Sequence, residues 1–317
     1  MEDRCRFRPP REGRQLTWEI TRFCNLVCDH CCTTSGPDAD RSIEPETPVL
    51  IDVAASLADA GITKVQFSGG EPLLRRGFLE MLDVIDTRRV RVHVASNGYS
   101  LNEQTVARLR TAGIHKLSIS VDGGTAAHHD AMRRKAGAFD RTMAGIERAA
   151  GAGIRVGVSA TITPRNLSSL DLLAERLAGI GIDDLSVHSV IAVGRATIFP
   201  ELMMAPSVQT AFEAHVLRLE DEYTGRLRIS HNFGSEDTAA PPGCPAQDGL
   251  LHIDPNGDVS SCSWLYKIDP AAFTLGNIAE QPLTQIVDAY NARLDEIRTL
   301  SGGSCPIPLA TRMAAAS

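Results

Sequence analysis

The sequence predicts an α/β protein, a partial (β/α)6 TIM-like barrel followed by a small C-terminal α+β domain. Three observations carry this prediction. Short β-prone runs alternate with helical runs through six β/α units between residues 15 and 190, the pattern of a parallel sheet with right-handed crossovers. Glycine and polar motifs recur where the β runs end, the edge at which such barrels place their active sites. After residue 195 the rhythm changes to long helices and short paired strands.

Gln15–Thr21 is the first strand and runs into a cysteine-rich loop. Pro48–Ala60 has a helical pattern, and Gly61 is its stop signal. Thr63–Phe67 is the second strand, ending in the turn Ser68-Gly69-Gly70-Glu71-Pro72. A helix at Phe78–Asp86 leads to a strand at Val90–Ala95 and the turn Ser96-Asn97-Gly98. The helix Glu103–Ala112 precedes the strand Lys116–Val121, which ends at Asp122-Gly123-Gly124. The helices Ala138–Ala150 and Leu167–Ala178 each precede a strand, at Ile154–Thr161 and Asp184–Val190. Beyond these, Gln209–Tyr223 and Thr284–Leu300 are helical, while Leu227–Ser235 and Gly249–Trp264 are strand-like with a turn at Asp254–Asp258. The expected division is a flexible extension over 1–14, a core over 15–224, a small domain over 225–308 and a disordered Ala-rich tail over 309–317.

Composition narrows the function. A chain of 317 residues that is 43% hydrophobic can bury a large core. The net charge of −7 and the lack of any basic run interleaved with aromatics argue against nucleic acid. No apolar stretch reaches membrane-spanning length, and residues 1–14 lack the apolar core of a secretory signal. The eight cysteines, at 5, 24, 28, 31, 32, 244, 262 and 305, do not read as the disulfide framework of a small secreted domain. Metal ligation in a reducing cytoplasm explains them better. Cys24, Cys28 and Cys31, spaced Cys-x3-Cys-x2-Cys, supply three thiolates from one loop. Three thiolates hold a [4Fe–4S] cluster by three irons and leave the fourth open to a small molecule.

That loop after the first strand, with Gly69-Gly70-Glu71 after the second, resembles the radical S-adenosylmethionine (SAM, AdoMet) superfamily, over about residues 25 to 195. The resemblance implies a SAM-binding [4Fe–4S] cluster. SAM would chelate its open iron, and one electron would cleave a carbon–sulfur bond to give a 5′-deoxyadenosyl radical. It further implies that Gly69, Gly70 and Glu71 face the methionine moiety, and that Ser96, Asn97, Ser120 and Asp122 line ribose and methionine. Arg133, or Arg134 beside it, would pair with the SAM carboxylate. His30 stands where the family usually has an aromatic residue near adenine; a solvent-facing loop histidine is the alternative.

Cys244, Cys262 and Cys305, with Gly257 before the second of them, resemble the SPASM/Twitch appendage that holds auxiliary [4Fe–4S] clusters. Three late cysteines fit the single-cluster Twitch form. Pro308 stands where a partner of Cys305 would fall, which leaves the fourth ligand to Cys5, Cys32, an oxygen group or an open iron. The 23 residues before Cys24 leave no room for the N-terminal recognition domain common in peptide-modifying members, so a small-molecule substrate is expected. The preferred reading is decarboxylation of a sugar-acid nucleoside, as in cytosylglucuronate decarboxylase, with Arg195 or Lys267 beside the carboxylate and His188 as a base. Alternatives are an epimerase or dehydrogenase of an aminoglycoside-type sugar, a peptide maturase, and a non-enzymatic zinc scaffold. A flavodoxin or ferredoxin would supply the electron. Anaerobically purified protein is expected to carry about eight irons per chain, four for each of two clusters. Metal analysis that finds zinc and no iron would refute the cluster reading.

Overall fold

The computed structural model describes residues 13–232 and 249–301. Contacts divide these into two units, 13–21 with 40–93 and 249–301, and 22–39 with 94–232.

The first unit is built around β1 (Arg14–Glu19), whose Leu16 and Trp18 are buried while alternate residues are less so. β1 pairs in parallel with β2 (Ile62–Ser68), in the register Trp18↔Phe67 and Glu19↔Ser68. Its other edge pairs in parallel with β8 (Leu250–Ile253), with Gln15 opposite Leu250. β8 turns back antiparallel onto β9 (Asp258–Ser260), which pairs with β10 (Thr274–Asn277), giving the order β10-β9-β8-β1-β2. Trp18, Phe67 and Phe78 form the centre, with ring centroids 5.6 and 5.3 Å apart. Helices α1 (Thr47–Ser56) and α2 (Phe78–Asp83) contribute Leu50, Val53 and Met81, and α10 (Leu283–Ser301) contributes Ile286 and Tyr290.

The second unit continues the β/α alternation. β3 (Arg91–Ser96) ends in it, and β4 (Lys116–Ser120), β5 (Val156–Ile162), β6 (Asp184–Ser189) and β7 (Arg228–Asn232) follow in spatial order. The pairs β4–β5, β5–β6 and β6–β7 are all parallel. Helices α3 (Glu103–Thr111), α5 (Ala138–Gly151), α6 (Leu170–Gly179) and α7 (Pro206–Glu222) supply the connections. Asn102 caps α3 by accepting from the Thr105 amide at 2.8 Å. Leu170, Leu173, Ala174 and Leu177, spaced to share one face of α6, are all fully buried.

Three elements differ from expectation. The stretch before residue 134 contains a short helix, α4 (Ala126–Arg133), capped by Thr125 and closed by Arg134 at φ 52. The strand expected at Gly249–Trp264 stops at Ser260, and α8 (Ser263–Ile268) begins just after Cys262, followed by α9 (Pro270–Phe273). β7, expected in the small C-terminal domain, joins β6 in the parallel series.

At the end of β1 the carboxylate of Glu19 is buried against Lys267, 2.7 Å away, and His252, 3.4 Å away. Burial pushes the Glu19 carboxyl up, but His252 and Lys267 outweigh it and hold it at about 2, against an ordinary 4.5. A carboxylate depressed in this way stabilises fully above about pH 4.5, and its contribution disappears as pH falls toward about 2. Glu19→Gln is therefore expected to cost about 3 kcal/mol at neutral pH, because it strands a buried cation. It should also flatten the acid limb of stability measured by urea denaturation; an unchanged limb would contradict this assignment.

A three-thiol loop and the polar groups around it

The loop between β1 and α1 has no helix or strand of its own. A single bridge between Phe23 and Gly36 closes it, with the Cys24 amide donating to the Gly36 carbonyl at 3.2 Å. Inside this closure Cys24 and Cys28 are buried, Cys31 is half-buried and Cys32 is exposed, and the first two pack with Leu26 against Cys31 and Tyr99.

Amide and guanidinium donors approach the thiols. Asn97, just past β3, points its Nδ2 at Cys24 Sγ, 3.7 Å away, and at Asn25 Oδ1, 2.9 Å away. Its Oδ1 accepts from the Tyr99 amide at 2.9 Å, which fixes the amide's orientation. Arg133, at the end of α4, places Nη1 3.6 Å from Cys28 Sγ and Nε 2.7 Å from Asp122 Oδ2. The Nε–H is not aimed along that short vector, so the contact is an ion pair rather than a linear hydrogen bond. Asp122 also faces His30 Nε2 at 3.3 Å and accepts from the Thr161 amide at 3.0 Å. Its own amide donates to His129 Nδ1 at 3.1 Å.

The electrostatics follow from burial and these neighbours. Burial pushes the Asp122 carboxyl up, but the Arg133 guanidinium above all, with the Thr161 amide, outweighs it and leaves it below the ordinary carboxylate range. Burial raises the Cys28 thiol against the pull of Arg133. Burial, with Arg133 nearby, drives His30 and His129 down to about 4, so both rings are neutral at pH 7. His188, half-buried on β6, is also lowered by burial.

The predicted residues separate into groups. Cys24, Cys28, Cys31, Asn97, Asp122, Arg133 and His30 come together. Ser96 turns its hydroxyl to the Gly98 amide at 3.0 Å, and Ser120 lies in β4 opposite Ser159. Arg195 is committed to the cysteine loop, its Nη1 and Nη2 donating to the carbonyls of Cys28 and Ser35 at 2.7 and 2.6 Å. Asp29, which sequence reasoning passed over, is buried between two cysteines, 2.7 Å from Arg165 Nη1 and 3.6 Å from Arg134 Nε. Its place inside the cysteine motif was the available signal; Arg165, far along the chain, gave none.

Gly69, Gly70 and Glu71 belong to the first unit. Gly69 has φ +121, and a Cβ there would lie 2.6 Å from the Thr21 carbonyl oxygen. The Gly70 amide donates to that same carbonyl at 2.7 Å. Glu71 is fully buried and caps the turn after β2 by accepting from the Leu73 amide at 3.2 Å. Lys267 is held by Glu19, and Cys262 is buried before α8. Cys5, Cys244 and Cys305 lie outside the described residues.

Parallel β/α units with a three-thiol loop after the first strand define a class of SAM-cleaving iron–sulfur enzymes. The Radical SAM superfamily domain matches residues 18–177, and an iron–sulfur cluster-binding SPASM domain matches residues 244–306. The chain belongs to the radical SAM superfamily. It is 29% identical over 293 residues to an AdoMet-dependent heme synthase of Methanosarcina barkeri, covering 86% of this chain and 81% of that protein. It is 30% identical over 296 residues to the mycofactocin maturase MftC of Mycobacterium tuberculosis, covering 92% of this chain and 74% of that protein. Among solved structures, Streptococcus suis SuiB bound to S-adenosylmethionine superposes with a TM-score of 0.71 at 17% identity. That match covers 87% of this chain and 65% of SuiB, and it supports the partial-barrel α/β fold.

The superfamily binds SAM at a [4Fe–4S] cluster, and the SPASM domain implies auxiliary iron–sulfur clusters. The residues present fit the first of these. Cys24, Cys28 and Cys31 would be the donor set, and the N–H groups of Asn97 and Arg133 directed at two of the sulfurs would favour their thiolate forms. Gly69→Ala is expected to cost about 1–3 kcal/mol through backbone strain. A lowered denaturation midpoint checks this, and an unchanged midpoint would mean that the turn tolerates a side chain.

Proposed function

We propose that this chain reductively cleaves S-adenosylmethionine and abstracts hydrogen from a carbon of an organic biosynthetic precursor. The observation that carries the reading is the set of three thiols in one loop, two of them met by N–H donors, in a chain of this superfamily. Cys24, Cys28 and Cys31 would hold a [4Fe–4S] cluster, which would supply the electron for reductive cleavage of the carbon–sulfur bond of SAM. The protein's own part is to hold the three sulfurs and to keep Arg133 fixed by Asp122, which also faces His30.

The substrate class is supported by relatives named for making heme and for maturing mycofactocin. Neither name points to a sugar acid. The two cations offered for a substrate carboxylate are engaged, Arg195 by loop carbonyls and Lys267 by Glu19. A small flavodoxin- or ferredoxin-type protein is the proposed reductant, and the cytoplasm the proposed compartment. No helix among the described residues is long and apolar enough to cross a membrane.

The test is anaerobic incubation of iron-loaded, reduced protein with SAM and a panel comprising an iron-porphyrin carboxylic acid, a short peptide and a sugar-acid nucleoside. 5′-Deoxyadenosine should form with the native protein and be lost in Cys28→Ala. Loss of carbon dioxide, loss of two hydrogens, or deuterium uptake without mass loss then identifies the outcome on the panel member that reacts. An equal 5′-deoxyadenosine yield from Cys28→Ala would overturn the proposal.

A further inference from the structure

Gly194 and Arg195 open a short turn after β6, and Arg195 is half-buried against the cysteine loop. One residue there meets three carbonyls of that loop. The Arg195 backbone amide donates to Cys31 O at 2.9 Å, Nη1 to Cys28 O at 2.7 Å and Nη2 to Ser35 O at 2.6 Å. The Cys28 carbonyl also accepts the Cys31 amide at 3.3 Å, so Arg195 completes a turn that the loop begins by itself. Ser35 is buried, and the buried carbonyls of an irregular loop must find donors outside it.

The backbone approaches closely to make these bonds. Gly194 has φ +62, and a Cβ there would lie 2.5 Å from Cys32 O and 2.6 Å from Cys31 O. Any side chain at 194 would push the turn off the loop. The planar fork of the guanidinium reaches two carbonyls in fixed directions, which a single ammonium centre cannot do.

We propose that Arg195 is a positioning residue that holds the cysteine loop in the shape that presents its three thiols, with Gly194 as the close approach that makes this possible. The inference rests on the reading of Cys24, Cys28 and Cys31 as cluster ligands. Residues that orient metal ligands from behind commonly change metal affinity by about 10–100-fold when removed.

The test uses the full chain in both iron-free and iron-loaded forms. In the iron-free form, Arg195→Ala should speed amide hydrogen exchange across residues 24–36 by at least about tenfold, while β4 and β5 exchange as in the native protein. In the loaded form, iron should be lost to a chelator at least about tenfold faster, and the electron paramagnetic resonance signal of the reduced cluster should shift. Arg195→Lys keeps the charge without the fork and should fall between the two. Native exchange in the loop together with native iron retention in Arg195→Ala would overturn the proposal. If Arg195→Ala loses its cooperative melt, Arg195→Lys and Gly194→Ala decide: faster exchange and iron loss in either supports the clamp, and native behaviour in both refutes it. Native protein that takes up no iron would defeat the ligand reading instead, and the exchange measurement would still judge the clamp.

Discussion

The loop that carries Cys24, Cys28 and Cys31 has almost no hydrogen-bond ladder of its own, and the second unit is organised around that deficit. A helix would satisfy its backbone groups internally and a strand would pair them with a neighbour, but this loop has neither. Donors and acceptors therefore arrive from elements distant in sequence. Asn97 reaches the loop from the end of β3, and the Met132 carbonyl in α4 accepts the Asp29 amide at 3.1 Å. Arg165 comes from the turn after β5 to bind the Asp29 side chain. These elements are the C-terminal ends of successive β/α units, so the parallel arrangement is what allows so many of them to meet one loop.

The Asp122–Arg133 pair is the electrostatic counterpart. Neither charge could be buried alone without a cost of several kcal/mol. The pair keeps a cation close to Cys28, while burial, aided by Arg133 and opposed by Asp122, keeps His30 and His129 neutral. In the first unit the glycine turn after β2 has a structural as well as a chemical logic. Thr21, two residues past β1, accepts the Gly70 amide, crowds out any side chain at 69 and donates its hydroxyl to Glu44 at 3.0 Å. The ends of the first two strands are thus tied into one rigid edge.

Most of the fold was legible because its signals are local. Alternating apolar runs gave the strands, helical spacing gave the helices, and glycine stops such as Gly61 separated them. α4 escaped notice because eight residues with two adjacent histidines carry little helical periodicity. β7 and β8 were seen as strands, but their partners were not, since no local pattern states that Leu250 lies beside Gln15. The site divides in the same way. The cysteines announce themselves by spacing, whereas Arg133 was expected only from the family resemblance, with Arg134 beside it as the alternative. Arg195 looked like a free cation for a substrate because sequence shows charge and not which carbonyls surround it. The Asp29–Arg165 pair spans too much chain for any local pattern to record.

The pairing of β1 with β8 bears on how the chain assembles during synthesis. β1 has one neighbour, β2, that follows it closely in the chain, but its other edge waits for Leu250–Ile253. Until then a stretch containing Leu16, Trp18 and Ile20, all buried in the finished protein, keeps one row of backbone donors and acceptors open to any passing strand. The exposed margin is adhesive until a segment far along the chain arrives to cover it.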